Sequence, residues 1–129
     1  MLIVAVTYGI VIFAHGSSVE SANDAVRIVA ASAAAGGGFS LVETAFLEAQ
    51  PNLDAAVSSL VGAGANRILV VPYFLTLGIH LQRDLPALVG RLAAQHQGVE
   101  IRITPPLDGH PALSSVLVER ANAALTDWK

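Results

Sequence analysis

The sequence contains no cysteine. That excludes disulfides, thiolate metal sites and cysteine-ligated iron–sulfur clusters, so any metal must be held by imidazole and carboxylate. Charge is also scarce: charged residues make up 13% of the chain and the net charge is −3, so no basic field is present to gather nucleic acid. Phosphate-cradling motifs are missing, with neither G-x-x-x-x-G-K nor G-x-G-x-x-G, which argues against a nucleotide cofactor and against energy input from ATP. Residues 1–14 carry no charge, but they fall short of the roughly 20 apolar residues that a membrane span needs. They also lack the positive flank and cleavage site of a targeting segment. The expectation is a buried first strand, no membrane partner and, as a default, a cytoplasmic location.

What the chain does have is apolar substance. Hydrophobic residues make up 53% of its 129 residues, enough for one domain spanning 1–129 with an ordinary core. The excess of Leu, Val and Ala over what a small interior can hold suggests that some apolar surface is covered by a partner, and a homodimer is expected.

Short β-rich runs alternate with helical runs, which argues for βαβ units and a parallel sheet. The reading places strands at Ile10–Ala14, Ser40–Leu47, Arg67–Pro72 and Glu100–Thr104. Ser17 is expected to open the first helix through a capping box with Glu20, and Val19, Ala22, Val26, Val29, Ala30 and Ala33 are expected to form its buried stripe. Pro51 is expected near the start of a second helix carrying Leu53, Ala56, Val57, Leu60 and Val61. A loop over Tyr73–Ile79 precedes a third helix over Arg83–Gln95, and Pro111 begins a fourth whose apolar residues are Leu113, Val116, Leu117, Ala121 and Leu125.

In open α/β sheets, ligands bind beyond the carboxyl ends of the strands. Three of the four histidines fall there: His15, His80 and His110. His96, near the end of the third helix, is expected to be structural. Taken singly, His15 and His80 could be ordinary loop residues. Together with Glu48, just past the second strand, they compose a site of two nitrogens and one oxygen that stays open on one side. Glu43 lies inside the strand and is expected to play a supporting or structural role.

Four stretches then carry a resemblance: Ile12-Phe13-Ala14-His15-Gly16-Ser17, Thr44-Ala45-Phe46-Leu47-Glu48 with Pro51 beyond, Val71-Pro72-Tyr73-Phe74-Leu75 leading to Gly78-Ile79-His80, and Asp84-Leu85-Pro86. Pro106-Leu107 with Gly109-His110-Pro111 adds a final loop. In order and spacing these residues resemble the small, single-domain CbiX-type sirohydrochlorin chelatases of the class II chelatase family, over about residues 10–125. The resemblance implies a chelatase-like, flavodoxin-style four-stranded parallel sheet with helices on both faces, and pairing as a homodimer. It implies insertion of a divalent metal into sirohydrochlorin or a related tetrapyrrole, in cobalamin or siroheme biosynthesis. The metal would be Co2+ or Fe2+, with Ni2+ less favoured because no His-rich loop is present. His15 and His80 would bind the metal, and Glu48 would assist. Three departures stand out: Ser18 replaces a basic residue, Ile79 replaces a glycine, and residues 1–8 look like an extra leader.

The residue types suit that chemistry. Neutral imidazoles hold a metal weakly enough to release it, and they accept protons near neutral pH. The apolar loop with Tyr73, Phe74 and Leu75 is expected to line the macrocycle, while Ser17, Ser18 and Arg83 are expected to meet its carboxylates. His110 is expected either to bind a carboxylate or to serve a helix start. Rival readings remain at this point: a phosphatase using His15, weakened by Ala14 where an arginine would be needed; a metal or tetrapyrrole carrier without turnover; and an interaction domain with incidental histidines.

Overall fold

A computed structural model describes residues 5–128 of the chain. Strands β1 (Tyr8–Ala14), β2 (Val42–Phe46), β3 (Arg67–Pro72) and β4 (Glu100–Ile103) alternate with helices α1 (Glu20–Gly37), α2 (Leu53–Gly62), α3 (Ile79–Gln95) and α4 (Ala112–Thr126). All pairings are parallel, and the sheet order is β2-β1-β3-β4. The order reverses between β1 and β3, which makes the carboxyl ends of those two strands the crevice of the fold.

Alternation along the strands divides the core. Val11, Phe13, Ala45, Ile68 and Val70 face Leu53, Val57 and Leu60 of α2 and Leu85, Val89 and Leu92 of α3. The opposite face presents Ile10, Ala14 and Phe46, and α1 lies over this side, its Arg27 guanidinium stacked 5.3 Å from the centre of the Phe46 ring. Leu69 and Val71 of β3 remain half-buried.

Several boundaries differ from the sequence expectation for physical reasons. The strands at Ser40–Leu47 and Glu100–Thr104 shorten to β2 and β4. Strand β1 instead starts earlier, at Tyr8, a residue expected in the leader, and Thr7 is tied to Asn66 at 2.8 Å. Residues 1–4 of that expected leader lie outside the described residues. The capping box does not form: helix α1 begins at Glu20 behind Val19, and Asn23 takes the Ser17 N–H while Glu20 turns to Arg27. The α1 stripe is rotated as well, burying Asn23 and Ala30 and leaving Val19 and Val29 exposed, because the helix sits over β2 rather than over the middle of the sheet. Pro51 lies before the cap of α2, where Asn52 Oδ1 accepts the Ala55 N–H at 2.9 Å.

Helix α3 starts a full turn earlier than expected, and Pro86 falls in its interior. The proline withholds the N–H that would close the turn onto the Gln82 carbonyl. The apolar residues expected on α4 do not make it part of the core: none of its residues is buried, and Val116, Leu117, Val118 and Leu125 are exposed. The β3–β4 half of the sheet on the α1 side is correspondingly bare.

Candidate metal and tetrapyrrole site

The parallel register carries β1 and β2 past their ends together. The Leu47 N–H donates to the Ala14 carbonyl at 2.9 Å and the Glu48 N–H to the His15 carbonyl at 2.8 Å, so the last strand-like pairing sets Glu48 beside His15. Gly16 then turns the chain with φ +85°, and a Cβ there would come within 3.0 Å of Phe46 Cβ and 3.1 Å of Ala49 Cβ. Only glycine meets both demands, the left-handed backbone and the close approach.

His15 is exposed, and its ring stands edge-on to Phe74 with 6.4 Å between centroids. Its Nδ1 lies 3.0 Å from the Gly16 carbonyl and 3.7 Å from Glu48 Oε2. Both neighbours are acceptors, so Nδ1 carries the proton and Nε2 offers its lone pair outward. Glu48 therefore stands on the Nδ1 side of the imidazole, with both side chains exposed.

From the adjacent strand, the Tyr73 N–H donates to the Phe13 carbonyl at 2.6 Å, which carries β3 out over the same rim. Phe74 is half-buried and packs 5.9 Å from Phe13 between ring centres, while Leu75 is exposed and Tyr73 borders on exposed. The loop Tyr73–Gly78 is braced from outside: the Leu107 N–H donates to Phe74 and the Asp108 N–H to Leu75. His80, expected between this loop and the third helix, sits instead in the first turn of α3, where it borders an apolar groove with Phe13, Leu47, Leu81 and Arg91. Its Nδ1 makes a long 3.5 Å contact with the Arg83 guanidinium, which also pairs with Asp84 at 3.2 Å.

The fold thus brings His15, Glu48, Phe74, Leu75 and His80 to one rim of the sheet. Among the described residues no three His, Asp or Glu side chains close on a single point. Ser17 is engaged through its backbone, and its hydroxyl accepts the Val19 N–H at 3.0 Å; Ser18 is exposed. One ring nitrogen of His110 accepts the Ala112 N–H at 3.0 Å, so this imidazole serves the start of α4. Glu43 accepts from the Ser59 hydroxyl at 3.1 Å, a link between β2 and α2 away from the rim.

Two residues near the site escaped the sequence reading. Leu47 was read only as the end of a strand, yet it is exposed on the groove beside His80. Asn23 was passed over within an apolar stripe, yet it is buried against the His15 loop. The signal for Asn23 was a polar residue among apolar ones on the sheet-facing side of a helix.

Known proteins resemble the chain in sequence and in fold. The family model described as CbiX matches residues 9–124. A sirohydrochlorin cobaltochelatase of Saccharolobus islandicus is 42% identical over 91 residues, covering 65% of this chain and 71% of the relative. A chloroplastic sirohydrochlorin ferrochelatase of Arabidopsis thaliana is 34% identical over 119 residues, covering 92% of this chain and 53% of the relative. Among solved structures, a putative cobalamin (vitamin B12) biosynthesis CbiX protein from Marinobacter aquaeolei superposes with a TM-score of 0.82 at 32% identity, covering 94% of this chain and 99% of the other. The sirohydrochlorin chelatase SirB from Bacillus subtilis, in complex with cobalt, shares the fold at a TM-score of 0.83 and 24% identity; the chain spans 50% of its length.

Proposed function

The chain belongs to the CbiX family, and we propose that it inserts a divalent metal, Co2+ or Fe2+, into sirohydrochlorin. The observation that supports this reading is a shared rim: His15 follows β1 and stands edge-on to Phe74 of the loop after β3, while His80, at the start of α3, borders the groove with Phe13 and Leu47.

Insertion requires the metal to shed water, the macrocycle to expose its nitrogen lone pairs and two pyrrole N–H protons to depart as one divalent cation enters. In this reading His15 Nε2 and one nitrogen of His80 hold the arriving metal. A site with few ligands suits a cation that must leave again, whereas closed four-ligand sites retain theirs. Glu48 holds the His15 ring through its Nδ1 side and, with the imidazoles, receives the pyrrole protons. Phe74 and Leu75, with Leu47 across the rim, give the flat ring an apolar bed. Arg83, beside His80, faces substrate carboxylates, since its guanidinium matches them in shape and charge.

The same reading pairs two copies of the chain. Support comes from α4, which carries exposed Val116, Leu117, Val118 and Leu125, and from the uncovered β3–β4 half of the sheet. Pairing would bury both kinds of surface. The match to half the length of SirB is consistent with two such units forming one working body.

The test is an absorption assay with purified protein, sirohydrochlorin and Co2+ or Fe2+. The metallated product should form faster than in the protein-free control. His15→Ala and His80→Ala should each remove most of the gain, and Glu48→Gln should lower it by roughly ten- to a hundred-fold, the usual effect of losing a carboxylate that orients a metal-binding histidine. Equal rates with and without protein would reject catalysis, and stoichiometric binding without acceleration would make the protein a carrier.

A further inference from the structure

Among the described residues Asn23 is the one buried polar side chain, at 1% exposure. Burying an amide is unfavourable unless its hydrogen bonds are replaced. Here they are: Oδ1 accepts the Ser17 N–H at 2.9 Å, and Nδ2 donates to the Ser17 carbonyl at 2.8 Å and to Glu20 Oε2 at 3.3 Å. The side-chain amide pairs with both backbone polar groups of Ser17, as a neighbouring strand would. Ser17 lies beyond the end of β1, where the sheet offers no such partner.

The consequence falls on His15. Its own carbonyl is held by the Glu48 N–H, Gly16 is confined against Phe46 and Ala49, and Ser17 is clamped by Asn23. The peptide is thus fixed on both sides of a residue whose imidazole is exposed. The chain of contacts continues outward: Arg27 donates to Glu20 at 2.6 Å and to Asp24 at 2.7 Å while stacking on Phe46, two residues before Glu48. One network therefore tethers the backbone that carries His15 and the strand that leads to Glu48.

We propose that Asn23 is a positioning residue for metal delivery, setting the direction of the His15 imidazole by clamping Ser17, with Glu20 and Arg27 holding the clamp. The proposal deepens the chelatase reading and rests on it for the role of His15. An apolar residue would fill the same space on α1, and it would leave the loop free to turn the ring away from the metal path.

The test combines Co2+ titration of the whole protein, without tetrapyrrole, with insertion kinetics. Asn23→Leu should weaken Co2+ binding by on the order of ten-fold, as loss of outer support does at metal sites. The turnover number should fall, with the KM for sirohydrochlorin unchanged. Asn23→Asp keeps the acceptor for the Ser17 N–H but sets a carboxylate oxygen against the Ser17 carbonyl and Glu20 Oε2, and should not restore Co2+ affinity. Added to His15→Ala, Asn23→Leu should cause no further loss of Co2+ affinity, because the two changes act through one group. A lower melting point with wild-type Co2+ affinity and turnover, or an equal loss with and without His15, overturns the proposal. Should Asn23→Leu fail to fold, Arg27→Met at a half-buried position decides: weaker Co2+ binding supports the clamp and unchanged binding overturns it. If wild-type protein binds Co2+ through His15 yet accelerates no insertion, the catalytic reading fails while the clamp stands.

Discussion

Gly16 shows how tightly single residues are specified at the rim. With φ at +85°, and with a Cβ that would lie 3.0 Å from Phe46 Cβ, any side chain there would be strained and tightly packed. Gly16→Ala should cost about 1–3 kcal/mol from backbone strain, more with the steric contact, read as a lower denaturant midpoint. Insertion activity should fall with it, because His15 moves with the turn. In the core, Leu92 is fully buried between helix and sheet, and Leu92→Ala should destabilise by roughly 2–5 kcal/mol in the same assay without altering the rim. At this scale the sequence was informative where chain order alone decides position. His15 and Glu48 follow directly from being the first polar residues beyond adjacent strands. Asn23 was not legible in that way, since a polar residue in a helix reads as solvent-facing until the packing of α1 on β2 is known. His110 was legible only as a choice between two roles, and the bond from the Ala112 N–H engages it at the start of α4.

At the scale of elements, β3 matched its expected bounds because Arg67 and Pro72 mark both ends of a continuous apolar run. The start of α3 was placed at Arg83, whereas the helix runs from Ile79 and continues through Pro86. That leaves the turn bearing His80 joined to the rest of the helix by one hydrogen bond fewer. Amide exchange at Leu81–Arg83 should therefore be faster than at Val89–Leu92, and Pro86→Ala should slow it by restoring the missing donor. The start of α1 responds to acid. The hydrogen bond from Arg27, aided by that from Asn23, holds the Glu20 carboxyl below the usual carboxylate range. A depressed carboxyl contributes stability above its unfolded value and loses it as pH falls through the folded value. The contribution is small at so exposed a site, is further screened by salt, and should disappear only in acid below the usual carboxylate range, as followed by helix content against pH.

For the molecule as a whole, the four β–α units and their parallel sense were legible from the alternation of strand and helix patterns. The order β2-β1-β3-β4 was not, because nothing local in a connection states on which side the next strand will lie. The amphipathic pattern of α4 was read correctly as apolar, but a pattern does not say whose surface it will meet. A helix of 15 residues with none of them fully buried in its own chain is marginal in water by itself. Where its shelter comes from another copy, mass action enters the thermodynamics of folding. Dilution should then melt α4 first, seen as a loss of helical signal at constant temperature, and the thermal midpoint should climb with protein concentration; a midpoint indifferent to concentration would mean that each copy stands alone.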